Sequence, residues 1–273
     1  MPELPEVETI SRKLRDGSPD SPSIVGQVIE AARIHWARTL ATPGIREAEQ
    51  WLQGCTILDV SRRAKFILIH LDRGCLLMHL RMSGDVLVFP ASKPDDPAYA
   101  RFSLQFRSGR RMLFTDARKF GRIWLVDDPQ LILKNLGPEP LESAFTPAVL
   151  HAKLMGKKRQ LKPLLMDQTF LAGLGNIYTD EALHQAKLHP LRNAQSLSQA
   201  ESAALHSAIQ TVLLEGIERN GASIDWVYRG GDFQNHFHVY QRTGETCPRC
   251  GTRIERILVG QRGTHFCPTC QKL

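Results

Sequence analysis

The hydrophobic pattern changes period along the chain. Val7, Ile10 and Leu14 recur at three- and four-residue spacing, with Glu6, Glu8, Arg12 and Lys13 on the other faces. That predicts an amphipathic helix starting near Pro5, whose missing N–H costs nothing in a first turn. After a loop at 17–22, short β runs take over, with candidate strands at 25–36, 57–61, 65–71, 75–80, 85–89, 102–106, 111–114 and 122–126. Asp72-Arg73-Gly74, Ser83-Gly84 and Ser108-Gly109 punctuate them, and a short helix at 45–53 interrupts. Many short strands with turn residues between them predict a sandwich or barrel.

Beyond a boundary expected between 128 and 146, the pattern is helical. Thr146-Pro147 opens a helix running to about Met155, and 161–166 begins another. Ser198 with Glu201 forms a capping-box signal, Leu205, Ile209, Val212 and Ile217 follow at helical spacing, and Asn220-Gly221 closes the helix. Leu171-Ala172-Gly173-Leu174-Gly175-Asn176-Ile177-Tyr178 places two glycines before a helix start, where backbone N–H groups can hold phosphate. It is no dinucleotide fingerprint, because the third glycine and the preceding strand are lacking. Residues 221–235 read as a mobile loop.

Composition narrows the partner. The 273 residues carry 42% apolar side chains and a formal charge of +7, with the excess concentrated towards the C-terminal end. A basic tail favours a polyanion. No apolar run reaches the roughly 18 residues of a membrane span, and the charged first fifteen residues lack the apolar core of a signal peptide. A cytoplasmic, nucleoid-associated location is therefore expected.

Cys55 and Cys75 sit in strand-like apolar surroundings and read as small buried hydrophobes. Cys247-Pro-Arg-Cys250 and Cys267-Pro-Thr-Cys270 are different: C-x2-C-x16-C-x2-C is the spacing of a four-cysteine zinc site. Four ligands close the tetrahedron, so the one Zn²⁺ is structural. A disulfide pair is the alternative, disfavoured in a reducing compartment. Between the knuckles, residues 253–258 and 264–266 can pair as a hairpin with 261–263 near its tip.

Candidate chemistry begins at the second residue. If Met1 is removed, Pro2 becomes a secondary amine beside Glu3, able to form a Schiff base at an aldehyde-like carbon. The plainer alternative is an ordinary helix start with acidic first-turn residues. Three further stretches stand out: Ser61-Arg62-Arg63-Ala64-Lys65, His79-Leu80-Arg81-Met82-Ser83-Gly84 and Thr115-Asp116-Ala117-Arg118-Lys119-Phe120-Gly121. Each alone reads as solvated charge at a strand end. Together, a Met and a Phe flanked by Arg have the composition of a wedge that unstacks bases.

These motifs, from Pro2-Glu3-Leu4-Pro5-Glu6 to the four cysteines, make the whole chain resemble the formamidopyrimidine-DNA glycosylase/endonuclease VIII family. The Glu-Leu-Pro-Glu start is similar to its purine-repair branch. The resemblance implies an α+β fold of two domains: an N-terminal β-sandwich with an N-terminal helix, and a C-terminal helix–two-turn–helix domain with a zinc β-hairpin. The implied divisions are 1–128, a linker at 129–145, 146–235 with a lesion loop at about 222–235, and a zinc finger at 236–273. DNA would lie between the two domains.

The resemblance also implies roles. Pro2 is the nucleophile and Glu3 the proton shuttle, with Lys65 and Arg262 assisting the two phosphate eliminations. Met82, Arg118 and Phe120 fill the gap left by a flipped base. His79, Lys119, Lys157, Lys158, Asn176 and Tyr178 are expected on DNA. Where the family often has a phosphate-contacting His, Tyr99 or Arg101 would have to serve. Arg81 stands where the family usually has Gly, Ala117 replaces a common Pro and Lys119 a common Arg. The expected partner is double-stranded DNA with oxidised bases or abasic sites, met by a monomer. The implied activity is glycosylase with β,δ-elimination. A preference for oxidised pyrimidines, and a non-catalytic zinc DNA-binding protein, are the alternatives.

Overall fold

The computed structural model describes residues 1–19, 21–90, 98–224 and 230–273. They form two compact units, Met1–Lys134 with the described part of Ser223–Gly231, and Asn135–Ala222 with Asp232–Leu273.

The first unit opens with helix α1 (Leu4–Asp16). Its strands are β1 (Ile29–Ile34), β2 (Leu40–Thr42), β3 (Ile57–Arg63), β4 (Phe66–Leu71), β5 (Cys75–His79), β6 (Gly84–Phe89), β7 (Ala100–Phe106), β8 (Arg111–Asp116) and β9 (Arg122–Val126). Among the described residues these make a four-stranded sheet, β1-β7-β8-β6, and a five-stranded sheet, β2-β9-β5-β4-β3. Their facing side chains build one core: Ile29, Phe102, Leu104, Phe106 and Phe114 from the first sheet, with Val60, Ile67, Ile69, Leu76 and Met78 from the second. This is the sandwich of the two options the alternation allowed. Helix α2 (Ile45–Leu52) falls where its pattern put it. The three-residue β2, paired parallel to β9, was too short to show any alternation.

Val7, Ile10 and Leu14 of α1 are at most 3% exposed and join this core. Burial of such side chains contributes about 1.5–3 kcal/mol apiece. Glu6, read as a solvent-face residue, is buried instead. Its carboxylate turns back to accept the Glu3 N–H at 2.7 Å, satisfying a donor the helix start leaves open.

After α3 (Gln130–Leu133) in the first unit, the second unit contains α4 (Pro147–Leu154), α5 (Leu161–Leu165), α6 (Asn176–Gln185) and α7 (Gln199–Glu218). Thr146 caps α4 by accepting the Val149 N–H. Ser198 and Glu201 form the expected capping box on α7. That helix ends with Asn220 and Gly221 both left-handed, and the Gly221 N–H closes on the Gly216 carbonyl. The hairpin is β10 (Glu255–Val259) and β11 (Arg262–Phe266), joined by Gly260-Gln261. Both turn residues have positive φ, the geometry whose twist matches paired strands. The tip therefore lies one residue earlier than expected, and Arg262 is the first residue of β11.

Candidate active site and nucleic-acid interface

Pro2 is buried, and Glu3, 2% exposed, is the N-cap of α1. The helix that carries them is fastened to the sheet by Glu8, whose carboxylate takes Arg62 Nε at 2.8 Å and Arg12 Nε at 2.7 Å. Burial pushes the Glu8 carboxyl up, but the two guanidinium groups outweigh it and hold it below its ordinary value. Arg62 also donates from Nη1 to the Ala64 carbonyl at 2.9 Å. Ala64, left-handed at φ 53°, and Lys65 form the two-residue turn between β3 and β4. Lys65 is 4% exposed, so this lysine is enclosed, not a solvated strand-end charge. The chain of contacts from Glu8 through Arg62 to Ala64 sets the helix start and the Lys65 turn in one frame.

His79 ends β5 opposite Phe66, with the two rings edge to face at 4.8 Å. Its Nδ1 accepts the Arg81 N–H at 3.0 Å. Burial, then the nearby Arg81 and Lys65 charges, push its pKa down to about 3. The imidazole is thus neutral with its proton on Nε2, a fixed donor.

Met82 is half-buried in the turn before β6, and Arg118, Lys119 and Phe120 are exposed in the β8–β9 loop. Phe120 leaves 51% of its surface in solvent, with the Arg118 guanidinium 5.1 Å from its ring centre. Lys119, left-handed at φ 62°, lays its ammonium 4.1 Å over the Trp36 ring. Buried Asp116 accepts the Ser83 hydroxyl, the Arg118 N–H at 3.2 Å and the Gly121 N–H at 2.6 Å. Tyr99 is exposed, while Arg101 Nε is engaged on the Asp116 carbonyl at 2.8 Å. Arg81, in the position where glycine was the expected residue, has φ 55°.

In the second unit, Asn176 begins α6 and gives its side-chain amide to the Gly263 carbonyl at 3.1 Å. Gly263 follows Arg262, and Lys162 Nζ reaches the same carbonyl at 3.1 Å. Lys162 is fully enclosed and paired with Asp180 at 2.6 Å. The second Asp180 oxygen accepts the His265 N–H at 2.9 Å. Neighbouring Glu181 takes the N–H groups of His238, Val239 and Tyr240 at 2.8–3.0 Å. Burial pushes the Glu181 carboxyl up, yet His238 and those three amides hold it below its ordinary value. Lys162, Asp180 and Glu181 were missed by sequence reasoning, because charges on short helices read as solvent-facing. Tyr178 has its ring fully buried, stacked on Phe233 at 5.2 Å. Lys157 and Lys158 are exposed after α4, as is Arg262 at the hairpin. Of the expected lesion loop, residues 225–229 lie outside the described residues; the Ser223 hydroxyl accepts the Gly231 N–H at 2.8 Å across its base.

The four Sγ atoms of Cys247, Cys250, Cys267 and Cys270 lie within 4.8 Å of one another. Cys250–Cys267 and Cys247–Cys270 separations are 3.4 and 4.0 Å, far beyond a disulfide bond. A tetrahedron with Zn–S bonds near 2.3 Å has sulfur–sulfur edges of about 3.8 Å. The donor set fits one structural Zn²⁺ with no open position, and His184 Nε2 supports it from 3.4 Å beside Cys247.

Residues 1–123 match the formamidopyrimidine-DNA glycosylase N-terminal domain, 136–227 the formamidopyrimidine-DNA glycosylase H2TH domain, and 244–273 a zinc finger found in FPG and IleRS. The formamidopyrimidine-DNA glycosylase of Chloroflexus aggregans is 45% identical, covering 100% of this chain and 99% of its own. A Lactococcus lactis FPG point mutant in complex with DNA containing Fapy-dG superposes with a TM-score of 0.91 at 37% identity, covering both chains fully. The Lactococcus lactis glycosylase bound non-covalently to DNA containing an AP site gives 0.90 at 36% identity, again over both full chains.

Proposed function

Because the chain belongs to the formamidopyrimidine-DNA glycosylase family, we propose that it repairs oxidised purines through an N-terminal proline nucleophile. It is a DNA glycosylase and abasic-site lyase of base excision repair, acting on duplex DNA that carries formamidopyrimidines, 8-oxoguanine or abasic sites. One observation carries the residue-level reading. Pro2 and Glu3 are buried at the start of a helix whose Glu8–Arg62–Ala64 contacts lead to the enclosed Lys65 turn.

A base and its C1′ are hidden in a duplex, so the nucleotide leaves the stack at a cost of a few kcal/mol. Met82, Arg118 and Phe120 fill the space it vacates. With Met1 removed, the Pro2 nitrogen attacks C1′ and the damaged base departs with a proton relayed by Glu3. The attached amine gives up its proton, the C1′–O4′ bond breaks and O4′ takes a proton, so the sugar ring opens to an iminium at C1′, which acidifies C2′. Loss of that proton expels the 3′ phosphate, and a second elimination expels the 5′ phosphate. Lys65 assists the first step and Arg262 the second. His79, Lys119, Asn176, Lys157 and Lys158 hold phosphates, with Tyr99 or Arg101 serving at one further phosphate, and the buried Tyr178 contributes by fixing the start of α6. Zinc supplies the fold of the hairpin that presents Arg262. Four segments, 1–128, 129–145, 146–235 and 236–273, divide the work of a monomer acting at the nucleoid in the cytoplasm. No helix among the described residues is long and apolar enough to cross a membrane.

Borohydride trapping tests this. Incubation of the processed protein with an 8-oxoguanine duplex and borohydride is expected to give a covalent adduct and a nicked strand. Pro2→Gly, with its amine altered, is expected to reduce the adduct, and Glu3→Gln to slow base release while an abasic duplex is still cut. No adduct on either substrate would overturn the reading; adduct only on oxidised-pyrimidine duplexes would shift it to the other branch.

A further inference from the structure

We infer that Asp116 is the positioning residue that shapes the base-replacing wedge, an inference that rests on the glycosylase reading above. Asp116 ends β8 and is 1% exposed. Its Oδ1 receives the Ser83 hydroxyl from the Met82 turn and the Arg118 N–H; its Oδ2 receives the Gly121 N–H. The Ser83 oxygen itself accepts the Arg118 N–H at 3.1 Å, so the two loops share one closed hydrogen-bond ring. The main chain adds a third segment: the Asp116 N–H donates to the Tyr99 carbonyl at 2.9 Å and its carbonyl accepts Arg101 Nε.

The loop from Ala117 to Phe120 is exposed at every position, so burial of its own side chains does not fix its shape. Lys119 holds a left-handed backbone, a state that persists only where its surroundings impose it. Gly121 allows the close approach this needs, since a Cβ there would meet the Phe114 ring at 2.2 Å. The Asp116 carboxylate is the group that imposes the shape, through charge-assisted bonds to two main-chain amides and one hydroxyl. A wedge held in advance adds its contacts without first losing freedom of its own. Met82 and Phe120 thus enter the duplex as one preformed unit because Asp116 joins their loops.

The experiment compares base excision from an 8-oxoguanine·C duplex with strand cleavage of a preformed abasic duplex, under single turnover. Asp116→Asn retains size and a hydroxyl acceptor but loses the charge and cannot accept at both oxygens. Ser83→Ala cuts the tie between the loops while leaving Asp116 with Gly121. Both variants are expected to slow excision about tenfold to a hundredfold, the range one or two lost charge-assisted hydrogen bonds correspond to. Cleavage of the abasic duplex, which has no base to extrude, is expected to stay close to wild type. Fluorescence of 2-aminopurine beside the lesion is expected to report slower unstacking in the same two variants. Equal loss of both activities in Ser83→Ala, or unchanged excision in both variants, overturns the inference. Wild-type protein inactive on both substrates overturns the glycosylase reading instead.

Discussion

Lys162 Nζ lies 2.6 Å from Asp180 Oδ1, and both side chains are wholly enclosed. The pair links α5 to α6, and through the Gly263 carbonyl and the His265 N–H it grips the hairpin strand that begins with Arg262. Removing one member strands the other charge out of water. Lys162→Met is therefore expected to cost about 3–5 kcal/mol, read as a lowered urea midpoint. DNA affinity should fall in parallel, because the Gly263 carbonyl beside Arg262 loses one of the two side-chain donors it has among the described residues. A midpoint unchanged from wild type would show the pair to be dispensable.

The zinc cluster makes a sharper test of the same hairpin. Its local core consists of little more than Val239, Cys247, Ile254 and Cys267. That is too small to hold the segment without the ion. Chelation, or Cys250→Ser, is expected to release one equivalent of zinc and expose β10 and β11 to amide exchange. The N-terminal sandwich should keep its protection, since its core shares no residue with the hairpin.

Arg81 carries a strain that glycine would not. Its φ of 55° costs an L-residue about 1–2 kcal/mol, offset in part by the extra unfolded-state freedom of glycine. Arg81→Gly is expected to raise stability by about 0.5–1 kcal/mol, because its N–H can still reach His79. The same variant lowers the local positive charge, so its salt-dependence of DNA binding should be shallower. A destabilised Arg81→Gly protein would mean that the side chain itself makes a stabilising contact.

His79 gives the stability a pH dependence of known sign. Its folded pKa is about 3 against an ordinary value of 6.5, so between these values the unfolded chain binds the extra proton. Stability therefore falls as pH drops from 6.5 towards 3, by about 1.4 kcal/mol per pH unit for this one group. His79→Gln is expected to flatten that part of the profile. Urea unfolding at about pH 7 and about pH 5 would check it: the gap between the two should narrow by roughly 2 kcal/mol in the variant. Glu8 adds a separate loss at lower pH, as its depressed carboxyl is finally protonated.

What could be read in advance was local. The zinc knuckles are four residues long, the capping box of α7 spans four, and the helical spacing of Val7, Ile10 and Leu14 lies within one element. In each, the interacting groups are near neighbours along the chain, so spacing alone fixes geometry. The start at Pro2 and Glu3 offered both a helix N-terminus and a Schiff-base amine, and only the resemblance carried by the other motifs chose between them.

Tertiary structure decided where charge is buried. Glu6, Lys65, Asp116, Lys162, Asp180 and Glu181 are ordinary polar letters in the sequence, yet all are enclosed. Most of their partners come from afar: Ser83 is 33 residues from Asp116, and His265 is 85 from Asp180. Enclosure of a charge is tolerated only where donors converge on it, and convergence from distant segments leaves no periodic trace. The sandwich, similarly, exists because two sheets share one core, a pairing that alternation within single strands could not choose over a barrel.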